Sequence, residues 1–322
     1  MRSKPFHFIA ALTTFLFSCV LPGPKAATLP EVWFAPLQGY ENSHFGRVGV
    51  SDLQDLFKPG SDWERAASDV KVFKMLENYL RTSSDEDMRQ ALAFLKQHHM
   101  ALAIEIGLLP YDAACPPLEG YDSDQLKIAL RIQRLGGEIA YVAADSPFLQ
   151  GLEGSRTPGC NQSLDVLAQK AAAVARLFRS VFPNVKFVDI EAVMNFKEPN
   201  AAQLISQWHS AFANEFGEPF TALHFDNNWN VYWQGRVRSV YDQMRRDHMA
   251  VGVICDGSLL DHDDAAWLTS AKNHCASFVQ SVGQPDSFVI QSWFPFPTRA
   301  LPESDPSSFT HMILDVVGAQ HN

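Results

Sequence analysis

Basic residues are in short supply in this chain. Lys and Arg number 26 against 36 Asp and Glu, and the formal net charge is −10. A chain of that sign repels polyanions, which argues against nucleic acid as a partner. Long apolar runs are missing after the first two dozen residues, so no membrane span is expected. Several catalytic signatures are missing too. The first apolar run of the main body passes into PLQGYENSHFGRVG, with no GxGxxG to cradle a dinucleotide. There is no GxSxG, so a serine hydrolase lacks its nucleophile elbow. There is no HExxH, no CxxC and no Cys/His spacing for zinc, so neither a resident metal nor a cofactor is expected.

What is present begins with an export pattern. Arg2 and Lys4 form a basic start, and Phe8 to Val20 is an apolar run of about a dozen residues, within the range of a secretory signal and short for a bilayer. We expect a signal over 1–27 and a domain over 30–322, with a periplasmic or extracellular destination. Leu16-Phe17-Ser18-Cys19 loosely matches a lipoprotein box, which leaves a lipid anchor at Cys19 open. Export permits disulfides. Cys115 and Cys160 both lie in polar loops containing Pro and Gly, and we expect them to pair. Cys255 at a strand end and Cys275 on a helix are expected as buried free thiols.

The rest of the 322 residues, 46% hydrophobic overall, reads as alternation. Eight short apolar runs begin at Glu31, Asp69, Met100, Gly137, Val185, Phe220, Met249 and Ser287. They recur at roughly the length of a strand, a loop and a helix. Between them lie helical patterns. Ser84–Lys96 opens on a cap residue, Ser123–Leu135 stops at Gly136-Gly137, and Ser163–Phe182 stops at Pro183. Ala201–Phe216 stops at Gly217, Asp264–Val282 stops at Gly283, and a last helix is expected from near Pro306. Eight such repeats over about 290 residues predict a single (β/α)8 barrel, a fold that usually takes about 250. A doubly wound open sheet is the alternative.

Acids cluster at the predicted strand ends. Asp145 closes the fourth run, Glu191 the fifth with Asp189 two residues before it, Asp226 the sixth and Asp256 the seventh, while Glu105 lies within the third. In a barrel these ends converge on one mouth, where active sites sit. Asp256-Gly257 and Asp226-Asn227-Asn228 also read as turns, and Asp263-Asp264 reads as the acidic start of a helix. Glu105 or Asp189 could instead pair with Lys74 as a structural ion. Paired carboxylates suit glycoside hydrolysis, in which one protonates the leaving oxygen and the other attacks carbon or activates water. Crowding raises their pKa values, so one can keep its proton. The 7 Trp and 23 Phe of the chain could supply sugar platforms, with Trp33, Trp229, Trp233 and Trp293 near strand ends. Asp145, Glu191 and Asp226 are therefore the candidate catalytic residues. Lys74, Glu105, Trp229, Trp233, Asp256, Gln291 and Trp293 are the candidate sugar contacts. His224, one residue removed from Asp226, could serve a metal-dependent hydrolase with the same acids.

The segments DVKVFKM, IAYVAADSPF, FPNVKFVDIEAV, DAAWLTSA and VIQSWFPFPTRALPESDPSSFT, taken together, resemble a group of largely uncharacterised exported bacterial proteins regarded as glycoside-hydrolase-like TIM barrels. The likeness runs from about Val32 to the C-terminus, and QSWFPFPTRALPESDP is its most specific block. It implies an oligo- or polysaccharide ligand. The fourth-strand segment of that group tends to read Met-Asp-Glu-Pro, whereas this chain reads Ala144-Asp145-Ser146-Pro147. If the Glu were the proton donor, Ser146 would leave an impaired enzyme or a non-catalytic carbohydrate-binding barrel. Enzymes of the alpha-galactosidase type offer another analogy, by strand number alone. They carry a nucleophile at the end of strand 4 and an acid/base at the end of strand 6, the positions of Asp145 and Asp226.

Overall fold

The computed structural model describes residues 29–44, 46–109, 120–153, 162–196, 199–293 and 295–320. Its centre is a closed barrel of parallel strands, each hydrogen-bonded to its sequence neighbours and the last to the first. In chain order the barrel strands are β1 (Glu31–Ala35), β2 (Val70–Leu76), β3 (Ala101–Ile106), β4 (Ile139–Asp145), β5 (Lys186–Glu191), β6 (Ala222–Phe225), β7 (Ala250–Cys255) and β8 (Ser287–Gln291). All eight coincide with the apolar runs read from sequence. Closure is made by β1 lying in register with β8, Trp33 opposite Val289 and Ala35 opposite Gln291. The fold is the expected (β/α)8 barrel. A small antiparallel hairpin, Tyr40–Asn42 with Gly46–Val48, follows β1 and was not expected.

The strands are buried on both faces, as parallel strands under a coat of helices must be. Their outer faces carry the large aromatics. Phe34, Phe73, Phe187 and Phe225 pack against Trp63, Trp208, Phe212 and Phe278 in one continuous core. The inner faces carry smaller groups, because eight strands converge there. Ala35, Val72, Ala103, Ala143, Val188, Ile190, Ile254 and Val289 surround Trp33, with Tyr141 packed against them. Trp33, considered above as a sugar platform, is only 3% exposed and plugs the lumen against Tyr141 and His224, with ring centroids 4.9 and 4.8 Å away. Gly252 makes this plug possible: a Cβ there would lie 2.4 Å from the His224 ring.

The helices follow their sequence signals. Ser84 caps Asp85–Gln97 by accepting from the Asp87 N–H, and Ser163 caps Leu164–Val181 by accepting from the Val166 N–H. The second of these buries an alanine-rich stripe, Ala168, Ala171, Ala172 and Ala175, that lets it lie close on the sheet. Ala201–Phe216 ends where Gly217 adopts a left-handed conformation with φ 96°. The last helix starts at Phe309 rather than near Pro306, because Pro306 lies in the turns before it. The QSWFPFPTRALPESDP block becomes the long connection from β8 to that helix. Carboxylates of Asp52 and Asp264 fix it by accepting from the backbone N–H groups of Ala300, Leu301 and Thr298. No helix among the described residues is long and apolar enough to cross a membrane.

The expectation for the cysteines needs one correction. Cys255 and Cys275 are not free thiols: they form a disulfide with a Cα–Cα distance of 5.5 Å. Cys255 lies on the outer face of β7, and Cys275 lies on the inward stripe of Asp264–Ser281 with Leu268, Ala271 and Phe278. The helix that returns over its own strand brings the two together. Cys115, Cys160 and Cys19 lie outside the described residues.

Candidate active site

Side chains alternate along a strand, so the lumen-facing set of each strand predicts what its C-terminal end delivers to the mouth. On β2, Val72 is followed two residues on by Lys74; on β3, Ala103 by Glu105; on β4, Ala143 by Asp145. On β7, Ile254 leads to Asp256, and on β8, Val289 leads to Gln291. On β6, Ala222 leads to His224 and then Asp226. Six of the eight strands thus present polar groups to one lumen, and four of these are carboxylic acids.

The deepest pair is Lys74 with Glu105, 0% and 4% exposed, joined by a salt bridge. Gln291 adds a hydrogen bond to the other Glu105 oxygen from its Nε2, at 3.4 Å. Of the two structural pairings considered for Lys74, the one with Glu105 is present. Asp189 is instead on the far side of the barrel wall. Above Lys74 and Glu105 stand Asp145 and Asp226, each keeping part of its surface open. Burial, followed by the negative charges of Glu105 and Asp226, pushes Asp145 up to about 7, against the pull of the Ser146 hydroxyl and Lys74. Burial and Glu105 push Asp226 up to about 6, with Lys74 opposing. Asp256 is held well above the ordinary carboxylate range by burial and Asp226. Its Oδ1 accepts from Trp229 Nε1 at 2.6 Å.

Beneath this layer His224 is almost fully buried, with Nε2 at 3.3 Å from the Ser287 hydroxyl. Burial and the nearby Lys74 charge pull it down to about 3, so it is neutral at physiological pH. Among the described residues no group of three His, Cys, Asp or Glu side chains is placed to hold a metal ion.

Glu191 does not join the mouth. On β5 it is Val188 and Ile190 that face the lumen, so Asp189 and Glu191 point outward between sheet and helices. The Glu191 carboxylate accepts from the backbone N–H groups of Phe148 and Leu149, at 2.8 and 3.3 Å. These are the first free N–H groups of the helix Pro147–Glu153 that follows β4. Glu191 is therefore an anchor for a helix N-terminus, and its candidacy as a third site acid is corrected on that ground. Asp189 accepts from Trp208 Nε1 at 3.2 Å and meets His209 Nε2 at 2.8 Å, both on the helix after β5.

The tryptophans divide in the same way. Trp229 is half-buried, stacked on His274 with ring centroids 4.6 Å apart, and borders Asp256. Trp233 is 3% exposed and packs on Phe278, so it is core and not a platform. Trp293 is half-buried against Leu37, Val48 and Leu76, and among the described residues its indole N–H has no partner. His274 escaped the sequence reading, and Ser146, read there as the place of a missing acid, takes a structural part. Ser146 bonds to Asp145 and sits at φ 43°, a left-handed conformation that is uncommon for serine. His274 steadies both Trp229 and the Asp256 backbone, its Nδ1 lying 2.7 Å from the Asp256 carbonyl. Position next to Cys275 was the available signal for His274.

The fold has many solved relatives. The structure of GH10 from Paenibacillus barcinonensis aligns with a TM-score of 0.54 at 10% identity, covering 89% of this chain and 95% of that one. A xylanase from the same organism, complexed with a conduramine derivative, aligns at 0.52 and 11% identity, covering 84% and 88%. Fungal β-1,4-galactanases align at 0.51 and 10% identity, covering 81% and 90%. At these identities the likeness is one of fold. No family model and no curated protein matches the sequence.

Proposed function

We propose that this protein is a glycoside hydrolase in which Asp145 and Asp226 carry the chemistry. The observation that carries the reading is that two partly open carboxyls, both with raised pKa, share one mouth with a buried Lys–Glu pair. Barrel relatives named as xylanase and galactanase support a carbohydrate ligand. Burial and neighbouring charge raise Asp145 further than Asp226, so of the two Asp145 is assigned the proton. Asp145 then protonates the glycosidic oxygen, and Asp226 attacks the anomeric carbon or takes a proton from water. This assignment reverses the one suggested by strand number alone. Lys74, Glu105, Gln291 and Asp256 hold sugar hydroxyls, and Trp229 and Trp293 border the ring.

The reading extends to export. The basic and apolar start of the chain and the Cys255–Cys275 disulfide both suit an oxidising compartment. The test is a polysaccharide and aryl-glycoside screen of the wild type beside Asp145→Asn and Asp226→Asn. Loss of cleavage in both variants is expected, with Asp145→Asn sparing aryl glycosides, which need little protonation. Cleavage that persists unchanged in both would overturn the assignment. Binding without cleavage by the wild type would favour the non-catalytic barrel that Ser146 suggests.

A further inference from the structure

Hydrolysis of a neutral glycoside requires two carboxylates. This mouth gathers four, Glu105, Asp145, Asp226 and Asp256, and among the described residues the cation that faces them is Lys74, already bound to Glu105. Burying surplus carboxyls is unfavourable unless something compensates their charge. A second observation points the same way. Gln291 is 0% exposed, its Nε2 is directed at Glu105, and among the described residues its Oε1 has no donor. A buried acceptor left in that state costs its desolvation. Asp226, Asp256 and Gln291 close three consecutive barrel strands, β6, β7 and β8, so this sector of the mouth gathers acceptors, and its donors among the described residues, the Trp229 indole and the Asn227 amide, carry no charge.

We infer that the mouth takes a saccharide bearing a free ammonium group, an amino sugar without an N-acetyl cap, with that ammonium held among Asp226, Asp256 and Gln291 Oε1. The inference rests on the carbohydrate reading above and narrows its substrate class. An ammonium carries three N–H donors and the positive charge the sector lacks, whereas a hydroxyl offers one donor and no charge. An acetyl cap would replace the cation with a neutral amide and press a methyl group against carboxyls.

Calorimetry tests this. The ligands are the α- and β-methyl glycosides of glucosamine and galactosamine, with their N-acetyl and 2-hydroxy counterparts, titrated at pH 7 in buffers of different ionisation enthalpy. Amino glycosides should bind at least about tenfold tighter than both counterparts. Their binding should release protons, because an ammonium favours the ionised form of the carboxyls around it. Asp256→Asn, which keeps an acceptor for Trp229, should cost the amino glycosides about tenfold more affinity than it costs their neutral counterparts. Equal or tighter binding of acetylated or neutral glycosides, or wild-type binding with no proton release, would overturn the inference. If neutral glycans are bound or cleaved and amino sugars ignored, the inference falls and the glycosidase reading stands. If no saccharide is bound or cleaved, both fall.

Discussion

Asp145→Asn should make the protein more stable as pH rises. The ordinary value of this carboxyl is 3.8, and the fold moves it to about 7. Ionising it in the native state is therefore harder than in the unfolded chain. Each pKa unit corresponds to about 1.4 kcal/mol, so a shift of about three units amounts to ~4 kcal/mol. The sign follows from proton binding. Below about pH 4 both states hold the proton and the group costs nothing. Between about 4 and 7 the native state binds more protons than the unfolded one, so stability falls as pH rises, and above about 7 the full loss persists. Asparagine has no proton to lose. The variant should match the wild type within about 1 kcal/mol at pH 4 and exceed it by about 2–4 kcal/mol at pH 8, the lower figure allowing for the open edge of the side chain. Asp226→Asn should follow the same course with a limit of ~3 kcal/mol, from its shift to about 6. Urea unfolding at unit steps from pH 4 to 8, with the disulfide intact, gives the difference curve directly. A difference that stays flat with pH, or a variant less stable at pH 8, would refute the account of how this mouth is charged.

Lys74→Met should cost about 3–5 kcal/mol by leaving Glu105 buried without its cation, and adding Glu105→Leu should recover most of that loss in thermal melts. Replacing Cys255 and Cys275 by alanine opens a loop of 20 residues and should lower stability by about 3 kcal/mol in chemical denaturation. Glu191→Ala strands two backbone N–H groups and should cost about 2–5 kcal/mol, while Glu191→Gln should keep most hydrolytic activity per folded molecule. Abolished activity in a folded Glu191→Gln would return that residue to the chemistry. Ser146→Glu should lose about 1–3 kcal/mol and gain no activity, because the site is buried and already bonded to Asp145. A tenfold gain on natural glycosides over aryl ones would instead restore the idea of a missing acid.

Periodicity alone found all eight strands, because strands buried on both faces read as short apolar runs and the helices between them carry caps and stops. The inward positions were harder. Asp145 and Asp256 follow the lumen residues Ala143 and Ile254 by two positions, Asp226 follows Ala222 with His224 between them, and that alternation was legible. On β5 the alternation of Phe187, Asp189 and Glu191 against Val188 and Ile190 was equally plain, but nothing local says which set faces the lumen. The deciding signal lay elsewhere. Trp208 and His209, side by side on the next helix, required a buried acceptor on the outer face of the strand they cover. The disulfide was missed for a related reason. Cys255 shares parity with the outward Val251 and Val253, and Cys275 shares the helical stripe of Leu268 and Phe278. Each pattern was visible alone, and only the return of a helix over its preceding strand joins them. Trp293 lies just past the end of β8, whereas Trp233 lies beyond β6 at the start of the helix Gln234–Arg246, and position along the chain does not separate a packed indole from an open one.

The junction after β4 brings these strands of reasoning together. A core strand ends on Asp145 because its last inward position opens on the mouth. The chain must then leave the barrel wall at once, and Ser146 does so at φ 43° while its N–H pairs with the Ile190 carbonyl at 2.8 Å. Pro147 follows because the first residue of a helix needs no N–H donor and gains from a fixed φ. The N–H groups that come next find Glu191, whose outward parity on β5 places it there. Two acids on adjacent strands thus divide their work by alternation alone. One faces the lumen, where a partly open carboxyl of raised pKa can give up a proton. The other faces the helices, where it fixes the turn that holds the first in place. A chemical role for Asp145 consequently depends on Glu191 without Glu191 touching substrate, and stability and kcat should separate the two when each is changed alone.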